Sequence, residues 1–289
     1  MPENLRTLKG RIRTAKNIAQ LAKTLEMVSV SKIRRARVLA ETVRPYAERI
    51  TALTGNAMRS LSPEEKEHPY LRASKAPSSA LSKAPARIVL AIGPDKGLCG
   101  PLTGNLVRKL AESVDENTLL ITVGKKMERP GVRLAGKRLI ASFMMGARLP
   151  QYSLVFDLVR VINEQILNGR ASLLDVLYGR FVSYFTQVPT FQRVLPLEPA
   201  AQAAGAPEEF EPGSAALLAA LLPHFLEVRL FDAVVQAFSA EHAARMVAMQ
   251  NAKANANDIA DTFTLLYNKT RQERITSEIL DLANKGKKR

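Results

Sequence analysis

Apolar residues at both ends of the chain follow a helical period. Near the N-terminus they recur in steps of three and four, at Leu5, Leu8, Ile12, Ala15, Ala19 and Ala22. Such steps place a narrow apolar stripe on one face of a helix. Beyond Ala22 the stripe shifts towards Leu21, Leu25 and Val28, which predicts local overwinding or a changed contact. The first proline inside this pattern is Pro45, so the pattern allows a helix of roughly 40 residues.

The C-terminal stretch, residues 245–289, has no proline and a single glycine, Gly286. Its apolar residues also recur at helical spacing, at Ile259, Phe263, Leu266, Ile275, Ile279 and Leu282. A stripe this narrow suits one partner helix better than a globular core. We therefore predict an antiparallel coiled coil of the two chain ends. Two amphipathic helices lying on a core are the alternative that the pattern leaves open.

The middle of the chain alternates strand and helix patterns. Residues 87–93 and 118–124 read as buried strands, and residues 131–143 hold a third, short one. Helices are predicted at about 102–113 and at 154–167, and residues 172–197 form two more strands. This alternation indicates an α/β domain with a largely parallel sheet. The predicted division is an N-terminal helix (1–61), a connector (62–86), the α/β domain (87–197), a linker (198–214) and a C-terminal helix (215–289).

Charge and composition narrow the class of partner. Lys and Arg outnumber Asp and Glu by 42 to 27, a net charge of +15 that predicts an acidic partner. The lone Cys99 excludes an intramolecular disulfide and fits a reducing compartment. No apolar run approaches the roughly 18 residues that a membrane span needs. The basic N-terminus contains Glu3 and Glu26, so we interpret it as mature sequence rather than a transit peptide.

The sequence gives little evidence for a catalytic site. The turn of Gly93, Gly97 and Gly100 follows a strand, but it fits neither GxGxxG nor a phosphate loop with its Lys-Ser/Thr pair. We interpret it as a strand-to-helix turn, and Cys99 within it is no better supported as a nucleophile. The scattered histidines, His68, His224 and His242, have neither triad nor metal spacing. We predict no catalytic residue, no metal and no cofactor.

Two basic clusters are the main polar signals. One lies in the first helix, at Lys32, Arg34, Arg35 and Arg37; the other is a tail of Lys285, Lys287, Lys288 and Arg289. If neither cluster binds a partner, the first is a solvated helix face and the second a frayed terminus. A nucleic-acid site needs stacking aromatics or a known module, and the nearest aromatic to the first cluster is Tyr46. An acidic protein surface is therefore the favoured partner.

Five segments in order resemble one known family along nearly the whole chain. They are residues 24–36 (TLEMVSVSKIRRA), 94–106 (PDKGLCGPLTGNL), 175–197 (DVLYGRFVSYFTQVPTFQRVLPL), 239–256 (SAEHAARMVAMQNAKANA) and 265–279 (LLYNKTRQERITSEI). These segments resemble the γ subunit of F-type ATP synthase. The cysteine-bearing insertion of the chloroplast subunit is absent, so the resemblance is to the bacterial type.

The resemblance implies an α/β fold with a Rossmann-like central domain and a long antiparallel coiled coil of the N- and C-terminal helices. It implies a central rotor shaft that couples proton or sodium flow through the membrane c-ring to ATP synthesis or hydrolysis on the α3β3 hexamer. The implied partners are the α, β and ε subunits and the c-ring, without nucleic acid. The subunit would be non-catalytic and peripheral, at the cytoplasmic face of the cell membrane. A basic coiled-coil adaptor that binds nucleic acid or an acidic protein surface is the alternative, followed by a nucleotide-using α/β enzyme.

The resemblance also assigns roles to individual residues. The positions that contact β subunits are Arg271, Gln272, Thr276, Glu278, Leu25 and Met27. Arg245 matches a position linked to coupling efficiency, and Lys32, Arg34, Arg35 and Arg37 would complement an acidic lever of the β subunits. The chain departs from the family at Leu25, where methionine is usual, at Pro101, and at Lys285-Gly286, where the family ends in Gly-Ala. Only the last of these departures concerns the C-terminal tip, where cations replace the family's small apolar residues.

Overall fold

A computed structural model describes residues 4–61, 70–71, 86–146, 148–197, 210–211 and 213–286, with side chains described as far as residue 280. The predicted connector and linker lie largely outside these ranges, as do His68 and residues 287–289, and Leu282 and Lys285 are described only in their backbone. The helices are α1 (Leu5–Arg59), α2 (Leu102–Ala111), α3 (Lys125–Ala135), α4 (Tyr152–Leu167) and α5 (Ser214–Gly286). The strands are β1 (Ala86–Ile92), β2 (Thr118–Val123), β3 (Leu139–Phe143), β4 (Ala171–Phe181) and β5 (Gln187–Leu195). No helix in the described residues is long and apolar enough to cross a membrane.

The five strands form one sheet in the order β3-β2-β1-β4-β5. β1 pairs in parallel with both β2 and β4, and β2 pairs in parallel with β3. β5 returns antiparallel beside β4 through a short hairpin. The predicted α/β class with a largely parallel sheet and long terminal helices is confirmed. The strands predicted from buried apolar runs, including the short one at β3, are all present.

Helices cover both faces of the sheet, which is why residues 88–92 of β1 are apolar without interruption. Ile88, Leu90 and Ile92 point into a core shared with α4 and with parts of the two long helices. Val89 and Ala91 point to the opposite face, where α2 and α3 pack. Because successive side chains of a strand alternate between faces, one apolar run supplies both cores.

The chain divides into two compact units. The coil unit comprises Met1–Ser29 and Arg245–Arg289, and the α/β unit comprises Val30–Ala244. Both long helices contribute residues to both units. Helix α1 continues through Pro45 to Arg59, further than the predicted 40 residues, and α5 contains Pro223. The domain boundaries given above stay predictions.

In the coil unit, α1 and α5 run antiparallel. Lys253 Nζ donates to Glu26 Oε2 at 2.6 Å, while the Arg11 guanidinium lies over the Phe263 ring at 5.4 Å from its centroid. Residue numbers therefore rise along α1 in the direction in which they fall along α5. The buried positions between them are mostly small: Leu8, Ala15, Ala19, Ala22, Ser29, Met249, Ala256 and Ala260. We call this set the seam.

The predicted seam is right at the N-terminus and wrong in three other places, one of which is the pair Ile275 and Ile279, both exposed. The shift beyond Ala22 does not occur, because Leu21 and Val28 are exposed and the seven-residue repeat continues to Ser29. On α5, Ile259 and Leu266 are exposed beside the seam, while Ala256 and Ala260 occupy it. The small seam residues let the two helix axes approach, so the larger apolar residues remain on the outside.

Candidate functional site

Helix α5 continues beyond the point where α1 begins. The contacts Glu26–Lys253 and Arg11–Phe263 place the start of α1 opposite residues near 270. Every residue from 271 to 280 is exposed. This stretch, which we call the overhang, is a single helix without a partner among the described residues. Arg271, Gln272, Thr276 and Glu278 all lie on it.

These four residues share one side of the overhang. At about 100° per residue they fall within a sector of about 160°, and Ile275 and Ile279 lie in its middle. Both isoleucines are exposed, at 47% and 61%. The structure therefore presents an apolar centre flanked by a guanidinium, an amide, a hydroxyl and a carboxylate. That combination can bury apolar surface and make directional hydrogen bonds with one partner surface.

Two of the four already make contacts within the helix. Thr276 Oγ1 donates to the Gln272 carbonyl at 2.9 Å, which fixes its rotamer. Glu278 Oε1 accepts from Arg274 Nε at 2.9 Å, in an exposed pair one turn apart. Such exposed pairs contribute little to stability, so a partner could exchange them at low cost.

Leu25 and Met27 occupy different environments. Leu25 is half-buried, whereas Met27 is 64% exposed. The Leu25 carbonyl accepts from Ser29 Oγ at 2.8 Å. Leu25 belongs to an outer apolar stripe with Ile18, Leu21 and Val28, which the sequence pattern had suggested as a continuation of the seam. An exposed stripe beside a filled seam is typical of a surface that contacts another protein.

The four basic residues of α1 do not form one patch. Residues three apart share a helix face, so Arg34 lies beside Arg37, and Lys32 beside Arg35. Ile33 and Ala36 are buried, which directs the cations around the remaining circumference of the helix. Arg37 Nη1 donates to the Tyr184 hydroxyl at 3.4 Å, linking the first pair to the β4–β5 hairpin. The cluster is therefore a basic collar with two separate pairs.

Arg245 is buried, at 6% exposure. A buried guanidinium requires partners, because an isolated buried charge is costly. Its role therefore depends on internal contacts rather than on an exposed surface. Removing it would leave those partners unsatisfied.

An aspartate in the glycine-rich turn after β1, Asp95, links this turn to the segments that follow β2 and β3. The Asp95 carboxylate accepts from the backbone N–H groups of Lys125, Met145 and Gly146, at 3.0, 3.3 and 2.6 Å. Lys125 begins α3, and a helix N-terminus is where Rossmann-type proteins hold a phosphate. Here a side-chain carboxylate takes that anion position. The residue joins the carboxyl ends of β1, β2 and β3, and sequence reasoning missed it.

The backbone around Asp95 leaves little space for a ligand. At Gly124, where φ is +99°, an added Cβ would lie 2.0 Å from the Gly93 carbonyl oxygen. At Gly93 an added Cβ would lie 2.5 Å from Met127 Cγ. Close packing, rather than access for a phosphate, therefore explains these glycines. Cys99 is buried beside Thr103, with Sγ 3.4 Å from its Oγ1.

The described residues contain no group of three or more His, Cys, Asp or Glu that could hold a metal ion. His224 is exposed and lies 3.4 Å from Glu227, whereas His242 is buried with its ring edge against Phe238. Tyr152 also donates to Glu227, at 3.1 Å. Burial, with that carboxylate beside it, raises the pKa of Tyr152, so the phenol stays protonated and ties α4 to α5.

A buried ion network in the sheet was also missed from the sequence. Asp175 on β4 is 3% exposed and accepts from Arg87 on β1 and Arg193 on β5. Arg193 adds a second bond through Nη2, at 3.1 Å. The signal was a carboxylate inside an apolar strand run, which implies a cationic partner but not which one. The network links three strands around a buried carboxylate.

Comparison with known proteins gives matches over the whole chain. A family model described as ATP synthase matches residues 4–284. The ATP synthase gamma chain of Dehalococcoides mccartyi is 35% identical over 286 residues, covering 96% of each chain. The gamma chain of Roseiflexus castenholzii is 36% identical over 291 residues, with the same coverage.

Solved structures share the fold. A chain of the Euglena gracilis mitochondrial ATP synthase matches with a TM-score of 0.68, covering 98% of this chain and 93% of that chain. A chain from the central stalk and c-ring of the Tetrahymena thermophila mitochondrial enzyme matches with a TM-score of 0.58, covering 80% of this chain and 99% of that one. Both are 19% identical, a level at which the likeness concerns the fold alone.

Proposed function

The chain belongs to the ATP synthase gamma-chain family, and from that premise we propose that it is the central rotor shaft of an F-type ATP synthase. In this role it couples ion flow through a membrane ring to ATP synthesis or hydrolysis on an α3β3 hexamer. The observation that carries the proposal is the match to gamma chains over 96% of both lengths. The coil unit and its overhang give that match a mechanical basis.

The coil unit transmits torque in this proposal. An asymmetric two-helix shaft inside a ring of three β subunits contacts each of them differently at any one angle. Each orientation therefore stabilises a different set of β conformations, a population shift that depends only on differential contacts. The seam holds the two helices together while the outer stripe and the overhang face the ring.

Individual residues receive proposed roles on the same basis. Arg271, Gln272, Thr276 and Glu278 bind a polar loop of a β subunit, around the exposed Ile275 and Ile279. Leu25 and Met27 make apolar contacts with the β subunits along the shaft, and the collar residues Lys32, Arg34, Arg35 and Arg37 face their acidic lever. Arg245 affects coupling through its buried contacts.

The chain itself is a non-catalytic subunit in this proposal, and the nucleotides bind to the hexamer. The Asp95 carboxylate at the start of α3 supports this, because it occupies the anion position of a Rossmann-type crevice. The α/β unit binds the ε subunit and the membrane ring. The protein is then peripheral, at the cytoplasmic face of the membrane, and it needs no cofactor of its own.

Co-expression with α and β subunits tests the proposal. We expect a stable complex that contains one copy of this chain and hydrolyses ATP, with hydrolysis that depends on this chain. The matched control is a chain that ends after residue 270 and so lacks the overhang. It should still assemble through the coil but hydrolyse ATP more slowly. Failure of the full chain to copurify with the hexamer, combined with salt-sensitive DNA binding, would overturn the proposal.

A further inference from the structure

The tip of the β4–β5 hairpin carries an exposed apolar surface that the proposed function does not use. Phe185 is 74% exposed, and Val182, Tyr184 and Val188 around it are exposed as well. All four belong to the α/β unit. Three of these side chains lie on the turn and Val188 follows it in β5, so the group is more than an isolated surface residue, which would need no explanation.

Hydrogen bonds hold this tip in one conformation. Ser183 Oγ accepts from the N–H groups of Phe185 and Thr186, at 3.3 and 3.1 Å. The Gln187 side-chain amide donates to the Ser183 and Tyr184 carbonyls, at 3.2 and 3.0 Å. The Phe181 and Tyr184 rings meet edge to face at 5.8 Å. A turn fixed in this way lowers the entropy cost of ordering the backbone around Phe185 on binding.

The surroundings of the tip are cationic. Arg37 donates to the Tyr184 hydroxyl, and Arg34 lies one turn away on the same face of α1. Arg180 is exposed at the base of the hairpin, opposite Val188. The sequence has no Asp or Glu in residues 176–194 or in residues 27–40. The charged residues of these two segments are therefore all cations, so the tip favours a binding partner with negative charge.

We propose that the β4–β5 tip docks on an acidic protein surface, with Phe185 inserted in an apolar pocket and Arg34, Arg37 and Arg180 facing carboxylates at its rim. A central aromatic anchor surrounded by arginines is the usual composition of an energetically dominant contact. This inference rests on the proposed function and deepens it, since Arg34 and Arg37 already face an acidic surface there and the tip adds Phe185 and Arg180 to that contact.

A neighbouring groove has no such charge preference. The groove, of about 780 Å³, lies between α1 and α5 and begins at Arg37 and Phe181. Its rim carries equal numbers of each sign, namely Arg37, Arg44 and Arg229 with Glu41, Glu48 and Asp232. Arg44 and Glu48 already pair with each other at 2.7 Å. The tip therefore favours a partner of one charge, whereas the groove does not.

A protein surface fits the tip better than an anionic membrane. Arg37 is held by Tyr184, so its position is fixed relative to Phe185 and suits a carboxylate at a defined site. Membrane attachment through one aromatic and three cations needs no fixed geometry and binds weakly without a longer apolar face.

Photo-crosslinking in the assembled complex tests the inference. A photoreactive phenylalanine analogue is placed at Phe185 and, as a matched control, at Phe156 of α4, which is 55% exposed. We expect crosslinks from position 185 to one carboxylate-rich segment of another subunit, and none to that segment from position 156. Phe185→Ala and Arg37→Glu should each make the chain dissociate from the complex roughly tenfold faster, with Phe156→Ala unchanged.

The other outcomes contradict the inference in distinct ways. If the complex assembles normally but position 185 gives no crosslink beyond that of position 156, the tip is not a docking site. If Phe185→Ala instead abolishes binding of the isolated chain to vesicles of anionic phospholipid, the tip binds membranes. If the unmodified chain does not join the hexamer at all, the proposed function fails first and this inference with it.

Discussion

The coil unit and the α/β unit bury their side chains in opposite ways. The seam of the coil unit is built from alanine, serine and a few larger residues, while Ile18, Leu21, Met27 and Ile259 remain outside. The α/β unit buries Ile, Leu, Val and Phe on both faces of its sheet. Large apolar residues of the coil unit therefore contribute less to its own stability than those of the α/β unit do. A surrounding ring of subunits would use them.

The largest stability effect is expected in the α/β core. Phe238 is 1% exposed, and Phe238→Ala should lower the free energy of unfolding by about 3–5 kcal/mol, since it removes apolar contacts and leaves a cavity. Urea unfolding followed by circular dichroism measures this. Phe185→Ala is the control and should change stability by less than about 0.5 kcal/mol. Equal effects of the two variants would mean that the α/β core is assigned wrongly.

A smaller loss is expected from the ion network of the sheet. Asp175→Asn keeps the size of the side chain but removes the charge that Arg87 and Arg193 share, at a cost of about 2 kcal/mol. Asp157→Asn on α4 breaks an exposed pair with Arg160 and should cost less than about 0.5 kcal/mol. If Asp175→Asn is as stable as the wild type, the network does not hold the strands together.

Enlarging a side chain in the seam should lower the stability of the coil unit more than removing an apolar side chain beside it. Ala22→Leu places a large side chain between two closely spaced helices and should cost about 1–3 kcal/mol. Leu21→Ala, one residue earlier and 61% exposed, should change stability by less than about 0.5 kcal/mol in the isolated chain. Thermal unfolding of both variants measures the contrast. The opposite ranking would place the shifted stripe of Leu21, Leu25 and Val28 in the seam after all.

The overhang should show the smallest stability effect together with a functional one. Arg271→Ala should leave unfolding within about 0.5 kcal/mol of wild type, because the residue is exposed. ATP hydrolysis by the complex should fall roughly threefold to tenfold. Arg274→Ala is the matched control, since its guanidinium is already occupied by Glu278. Identical kinetics for the two variants would argue against a specific role for Arg271.

The sequence predicted the features that depend on local periodicity. The terminal helices, the buried strands and the N-terminal half of the seam all follow from the spacing of apolar residues. Helix α3 was missed because Lys125 and Lys126 begin it and Pro130 lies inside it, a composition that resembles a loop. Ile259 and Leu266 were placed in the seam because spacing alone does not separate residues that face α1 from those left for a partner.

Polar contacts between residues far apart in the chain could not be predicted from the sequence. Asp95 lies 30 residues from Lys125 and 51 from Gly146, so nothing in its local pattern shows the backbone N–H groups that surround it. The same holds for Asp175 and its two arginines. The split of the basic cluster into two pairs depends on which face of α1 is buried, which Ile33 and Ala36 decide.

Direct observation of rotation tests the central claim most sharply. Cys99 is 2% exposed, so a cysteine introduced at the exposed Glu112, directly after α2, offers a selective attachment point for a probe. With the hexamer fixed to a surface and ATP supplied, we expect the probe to turn in one direction, in steps of one third of a turn. Full ATP hydrolysis with a stationary probe would contradict it.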